Sequence, residues 1–257
     1  MTDTPDTRSI DLSVDVDGTP EEVWRAIATG PGISSWYVPH EVEEREGGAA
    51  SASFGPGPEM QIPGRVTVWD PPRRIVFEGD DPSSTLAFEW IVEARDGGSC
   101  VVRLVNSGFA TGEEWDAQFD GMSEGWQLFL FNLQLHLRHF RNESGRPVLP
   151  MAMWPGERGD VWARLLEALG FPDRPVEGQR VRTGPGAPPL AGTVIRSAES
   201  MLGLLLDEPA RGTAFLAVEG RGDQMGVSVW QYLYGDDRDE VAARVEPAWW
   251  AWLAEPH

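Results

Sequence analysis

Polar and apolar residues alternate from Ser9 to Val16: Ile10, Leu12, Val14 and Val16 fall on one face, Ser9, Asp11, Ser13 and Asp15 on the other. Extended backbone points successive side chains to opposite sides, so this period of two predicts a strand with one face buried. Thr19-Pro20-Glu21-Glu22 follows. It supplies a hydroxyl N-cap, a proline at the first helical position and a glutamate able to reach back to the cap. The helix it opens carries Val23, Ile27 and Trp24 inward and stops near Gly30-Pro31-Gly32. A short second helix is expected to hold Ile33, Trp36 and Tyr37.

Strands are then expected at 40–46, 51–55, 62–69, 73–79, 84–94 and 99–107. They are separated by turn sequences such as Gly47-Gly48, Asp70-Pro71-Pro72 and Asp96-Gly97-Gly98. Connections this short imply antiparallel hairpins. Leu86, Phe88, Trp90 and Val92 share a face of one strand, and Cys100, Val102, Leu104 and Asn106 share a face of the next. From Glu113 to Phe140 the period lengthens to about 3.6. Trp115, Phe119, Met122, Trp126, Phe129, Leu133, Leu137 and Phe140 trace one stripe of a long amphipathic helix. Glu113, Glu114 and Asp116 stand in its first turn and Arg138 and Arg141 near its end, as the helix dipole favours.

The chain then repeats itself. Ile10 to Val23-Trp24 recurs as Val148 to Val161-Trp162 with the same spacing. Gly64-Arg65-Val66-Thr67-Val68 recurs as Gly192-Thr193-Val194-Ile195-Arg196, and Gly125-Trp126-Gln127-Leu128 more weakly as Ala248-Trp249-Trp250-Ala251. Two copies of one fold, the second trimmed, explain this most simply. The domains expected are 8–141, complete, and 147–257, degenerate. The second copy is shorter between its helix and mid-sheet anchors, so it should lack part of the small helix and one hairpin strand. Its last helix is expected over 237–254, kinked or split at Pro247. Trp249 and Trp252 should face the second sheet, leaving Trp250 for the first domain or another subunit. The fuller copy is the expected carrier of function.

A length of 257 residues and 41% hydrophobic content suffice for two cores. The formal net charge of −20 argues against nucleic acid or an anionic membrane surface as partner. A single cysteine, Cys100, rules out an internal disulfide and fits a reducing compartment. Met1 to Ser9 lacks the basic and apolar regions of a signal peptide, and no apolar run is long enough to span a bilayer. The chain reads as soluble and cytoplasmic.

Several residues taken together carry a family resemblance: Thr19-Pro20-Glu21-Glu22-Val23-Trp24, Trp36, Gly64-Arg65-Val66, Asp70-Pro71-Pro72-Arg73-Arg74-Ile75-Val76, Ser107-Gly108-Phe109 and Gly125-Trp126. In this order and spacing, residues 8–140 resemble the bacterial SRPBCC (START-like) superfamily. Within it they are most similar to the branch named for the activator of the heat-shock-protein-90 ATPase. The resemblance implies the α+β helix-grip fold, a curved antiparallel sheet wrapped around a long C-terminal helix with a cavity between them. It also implies binding of hydrophobic small molecules, with cyclisation or hydrolysis of polyketide-like compounds in some relatives and co-chaperone action in the eukaryotic namesake. Fold does not fix function.

The aromatic residues are the best candidates for a site. Trp36, Phe54, Phe77, Phe88, Trp90, Met122 and Trp126 should converge on the groove between sheet and helix, with Leu104 and Phe129 beside them. The alternative is that they only fill the core. Asn106, polar on an apolar strand face, is a candidate ligand contact or a strand-end cap. Gly121 and Gly125 lie four apart on the long helix; they either shape a pocket mouth through a bend or close approach, or are merely tolerated. Glu89 and Arg103 should point outward and can pair across strands. His136 and His139 share a helix face without further ligands and read as a solvated helix end. His40 stands at a strand entrance with no carboxylate partner, and Cys100 reads as a buried, inert thiol. Asp116, Asp120 and Glu124 fall beside the polar face and do not suggest a catalytic pair. No metal, phosphate-loop or nucleophile–base motif is legible, so no cofactor, metal or catalytic residue is expected.

These readings support a hydrophobic ligand bound in the first-domain cavity, with a homodimer left open. A cyclase or hydrolase would use the same cavity. A protein-interaction module would instead use the outer face of the sheet, and would need a filled core and an exposed apolar patch.

Overall fold

In a computed structural model, residues 7–80, 86–110, 113–220 and 222–255 are described. The chain forms two compact units, Met1–Ser144 and Gly145–His257. The first runs β1 (Thr7–Asp17), α1 (Pro20–Ala28), α2 (Gly30–Ser34), β2 (His40–Val42), β3 (Ala49–Ser53), β4 (Gln61–Asp70), β5 (Arg74–Gly79), β6 (Ala87–Arg95), β7 (Ser99–Ala110) and α3 (Glu113–His139). Its seven strands form one antiparallel sheet in the order β1-β7-β6-β5-β4-β3-β2. The chain thus meanders from β2 to β7 and closes on β1, and α3 packs against β1 and β7. This is the helix-grip arrangement.

Local chemistry sets the helix starts. Thr19 caps α1 in a reciprocal box: its N–H donates to Glu22 Oε2 at 2.9 Å, and the Glu22 N–H donates to Thr19 Oγ1 at 3.3 Å. Thr29 caps α2, accepting from the Gly32 N–H at 3.1 Å. The second helix ends at Ser34, so Trp36 and Tyr37 lie beyond it in the approach to β2, not within it as their spacing suggested. Its last turn tightens: the Ser35 and Trp36 N–H groups donate to carbonyls three residues back, those of Gly32 and Ile33, at 3.1 and 3.2 Å. Strand β2 is also shorter than expected, because the chain turns at Glu43 to Gly48.

The second unit repeats the plan with β8 (Arg146–Val148), β9 (Met151–Pro155), α4 (Arg158–Leu169), β10 (Arg180–Arg182), β11 (Ala191–Ala198), β12 (Met201–Glu208), β13 (Gly212–Glu219), β14 (Gln224–Leu233) and α5 (Arg238–Leu253). Strands β8 and β9 pair with β14 in a single register and are one strand interrupted at Pro150, which has no N–H for the ladder. Counting them together, this sheet is one strand narrower than the first at the far edge, where β10 stands alone. Nothing between α4 and β10 corresponds to α2. Helix α5 packs on β8, β9 and β14, as α3 packs on β1 and β7.

Pro247 neither splits nor ends α5. It lies on the exposed side with Ala243, whose carbonyl loses its helical partner and can turn to water, while Val241, Val245, Trp249 and Trp252 hold the buried side. Trp249 is fully buried, edge-on to Trp252 at 5.5 Å, and Trp252 lies 6.3 Å from Trp154. Trp250 is half-buried. Trp154, Trp249 and Trp252 thus pack together in the core of this unit.

Among the described residues, no helix is long and apolar enough to cross a membrane. Cys100 is buried, its thiol directed at the Gly18 carbonyl at 3.4 Å, and burial raises its pKa.

Candidate functional site

Between α3 and the concave face of the first sheet lies a cavity of about 640 Å³. The sequence positions its wall. Phe88 and Trp90, two apart on β6, project to one face, and Phe77 on β5 stands directly across from Phe88. Met122, Trp126 and Phe129 present the same stripe of α3. Trp36 is fully buried and held from two sides: its Nε1–H donates to the Ala26 carbonyl at 2.8 Å, and Asn132 of α3 donates to its carbonyl at 2.8 Å. It meets Trp90 edge-on at 5.6 Å, and Trp90 meets Trp126 at 5.5 Å.

Eight of the ten residues expected at the site line this cavity: Trp36, Phe54, Phe77, Phe88, Trp90, Met122, Trp126 and Phe129. Leu104 and Asn106 do not. Both are fully buried on the same face of β7, one strand nearer β1 than Phe88 and Trp90, where α3 packs on the sheet. Asn106 is neither a strand-end cap nor a cavity contact, and its side-chain amide has no partner among the described residues.

Tyr37 is the centre of the aromatic cluster. Its ring lies 4.4 Å from Phe129, 4.9 Å from Trp126, 5.4 Å from His40 and 6.0 Å from Phe54. Neither Tyr37 nor His40 was among the expected site residues. Their signal was their place just after Trp36: Tyr37 was read as part of the short helix, and His40 only as a residue at a strand entrance. Burial pushes the His40 imidazole down to about 4, against the opposing effect of its bond to Val38, and burial raises the Tyr37 phenol. Both are neutral at ordinary pH. The remaining lining is Ile33, Ala52, Ile62, Gly79, Leu86, Gly121 and Gly125.

The two helix glycines border empty space. A Cβ at Gly121 would meet nothing within 4 Å, and one at Gly125 only Phe129, at 4.0 Å. They do not mark a close approach of helix to sheet.

Other expectations change in tertiary context. Glu89 pairs with Arg74, not Arg103, and Arg103 forms a forked pair with Asp11 at 2.5 and 2.8 Å. His136 is buried, 3% exposed, with its pKa pushed down to about 4 by burial; it faces the α1 side of α3 rather than solvent. The side chains of Trp115, Asp116 and Asp120 lie outside the described residues.

The first unit is therefore a helix-grip domain with an aromatic cavity. The model of the family described as "Activator of Hsp90 ATPase homolog 1-like protein" matches residues 17–138, within this unit. No curated protein is significantly similar to the chain in sequence. Among solved structures, protein MLL2253 from Mesorhizobium loti is 17% identical, covering 52% of this chain and 98% of its own at a TM-score of 0.44. The Aha1 dimer from Colwellia psychrerythraea is 20% identical over 51% of this chain and 97% of its own, at 0.43. The di-domain ARO/CYC BexL from the BE-7585A biosynthetic pathway is 17% identical over 94% of this chain and 93% of its own, at 0.47.

Proposed function

We propose that this protein binds a hydrophobic small molecule in the first-unit cavity. The observation that carries the reading is an apolar cavity of about 640 Å³ walled by eight aromatic side chains, within the roughly 300–1,000 Å³ typical of ligand sites. A core evolved only for stability fills such space, because unfilled volume forfeits dispersion contacts. Binding is favoured over a cyclase or hydrolase reaction. The described residues of the wall offer one imidazole and one phenol, both neutral, but no acid and base at matched positions. A co-chaperone role is not favoured, since the apolar residues converge on a cavity rather than an outer sheet face. The second unit, whose core packs Trp249 against Trp252, is read as a structural repeat of the first.

The test is titration of the full chain with N-phenyl-1-naphthylamine, a neutral dye that brightens in apolar sites. Saturable one-site binding is expected, lost on Trp126→Leu when the variant's far-ultraviolet circular dichroism is unchanged. Absence of dye binding to the native protein would overturn the proposal.

A further inference from the structure

The cavity has one polar corner. His40 donates its backbone N–H to Ser34 Oγ at 2.9 Å, and its Nδ1 lies 2.8 Å from the Val38 carbonyl oxygen. A carbonyl only accepts, so Nδ1 carries the hydrogen. The ring is neutral, held so by burial, and Nε2 is therefore left with a free lone pair on the edge opposite Val38. His40 lines the cavity, and neither its Nε2 nor the Tyr37 hydroxyl has a hydrogen-bond partner among the described residues. The two rings stand 5.4 Å apart. No lysine, arginine, aspartate or glutamate lines the cavity among the described residues.

From this corner we infer that His40 and Tyr37 set the specificity of the site: they select an uncharged ligand that presents a hydroxyl donor to His40 Nε2, and they reject carboxylates. This rests on the cavity being the binding site. The Val38 carbonyl fixes the tautomer, so the acceptor is preorganised and costs nothing to orient when the ligand arrives. The Tyr37 hydroxyl can donate to the same ligand oxygen or accept from it. A carboxylate would lose its hydration and find neither a cation nor a donor pair to replace it. A purely apolar ligand would leave both polar atoms dry and unpaired.

The experiment measures displacement of N-phenyl-1-naphthylamine from the full chain at neutral pH by naphthalene, 2-naphthol and 2-naphthoate. Naphthol should bind about five- to tenfold tighter than naphthalene, as one well-made neutral hydrogen bond gives. Naphthoate should bind weaker than naphthalene. His40→Leu should abolish the naphthol preference, the ratio of naphthol to naphthalene affinity falling to about one. His40→Gln, which keeps an acceptor, should restore part of it, and Tyr37→Phe should reduce it. Equal affinity of naphthol and naphthalene for the native chain would overturn the inference but leave the cavity reading intact. So would naphthoate binding as tightly as naphthol, or a preference that survives both His40→Leu and Tyr37→Phe. Should the His40 variants fail to fold, the three-ligand series and Tyr37→Phe still decide. Failure of naphthalene and the dye alike to bind would overturn the cavity reading, and this inference with it.

Discussion

Replacing Gly121 and Gly125 should strengthen the fold and weaken the site together. Both residues lie inside α3, and the space beside each is open: nothing within 4 Å of a Cβ at Gly121, and only Phe129 at 4.0 Å from one at Gly125. An alanine there meets no steric penalty and recovers the entropy that glycine loses in a helix, about 1 kcal/mol per site. Gly121→Ala with Gly125→Ala should thus stabilise by about 2 kcal/mol if the sites are independent, raising the melting temperature by roughly 6–10 °C for a unit of this size. Leucine keeps most of the helical gain but projects its branched side chain into the cavity. Gly125→Leu should accordingly keep or raise the melting temperature while weakening dye binding about tenfold or more, the cost of roughly 1.4 kcal/mol of lost contact. Calorimetry or circular dichroism reads the first effect and dye titration the second. Two results would refute the reasoning: a fall in melting temperature with alanine, which means the helix is tightly packed at these points, or full dye affinity in Gly125→Leu, which means the dye binds elsewhere.

Acid should destabilise the protein through its buried imidazoles. His40 and His136 are held neutral with pKa values of about 4, against about 6.5 when unfolded. Protonation favours the unfolded chain, so their stabilisation is complete above pH 6.5 and is lost as pH falls towards 4; each contributes about 2 kcal/mol of loss between pH 7 and 5. Urea midpoints across that range should show the loss, and His136→Leu should flatten part of it; a flat profile in the native protein would count against both. Asn132→Leu strips the buried Trp36 carbonyl of its donor and should cost about 1–3 kcal/mol, with looser dye binding because Trp36 forms the cavity wall. Thr19→Ala removes the α1 cap and should cost about 1 kcal/mol without altering dye affinity. Trp249→Ala should cost about 3–5 kcal/mol in the second unit, and unchanged dye affinity per folded molecule would agree with a dye site in the first unit.

Most elements were legible in the sequence because each is written locally. The alternation of Ile10 to Val16, the box of Thr19 and Glu22, and the stripe of Met122, Trp126 and Phe129 need only their own neighbours. The repeat was legible because homologous anchors keep their spacing. Two kinds of residue escaped. Trp36 and Tyr37 sit past the end of α2, in a tightened last turn leading to β2 that the spacing of apolar residues does not record. Leu104 and Asn106 share the inward face of β7, but inward meant core there and cavity on β5 and β6, because the long helix covers the first strands of the sheet and stands off from the rest. Strand parity says which way a side chain points; only the path of the facing helix decides what it meets. The same holds for charge. His136 looked like a solvated helix end and is buried, and His40 gained its free acceptor from a carbonyl two residues away and a wall of rings from four other segments. Burial is a sum over distant segments, so a pKa and a hydrogen-bonding role emerge only when those segments are assembled.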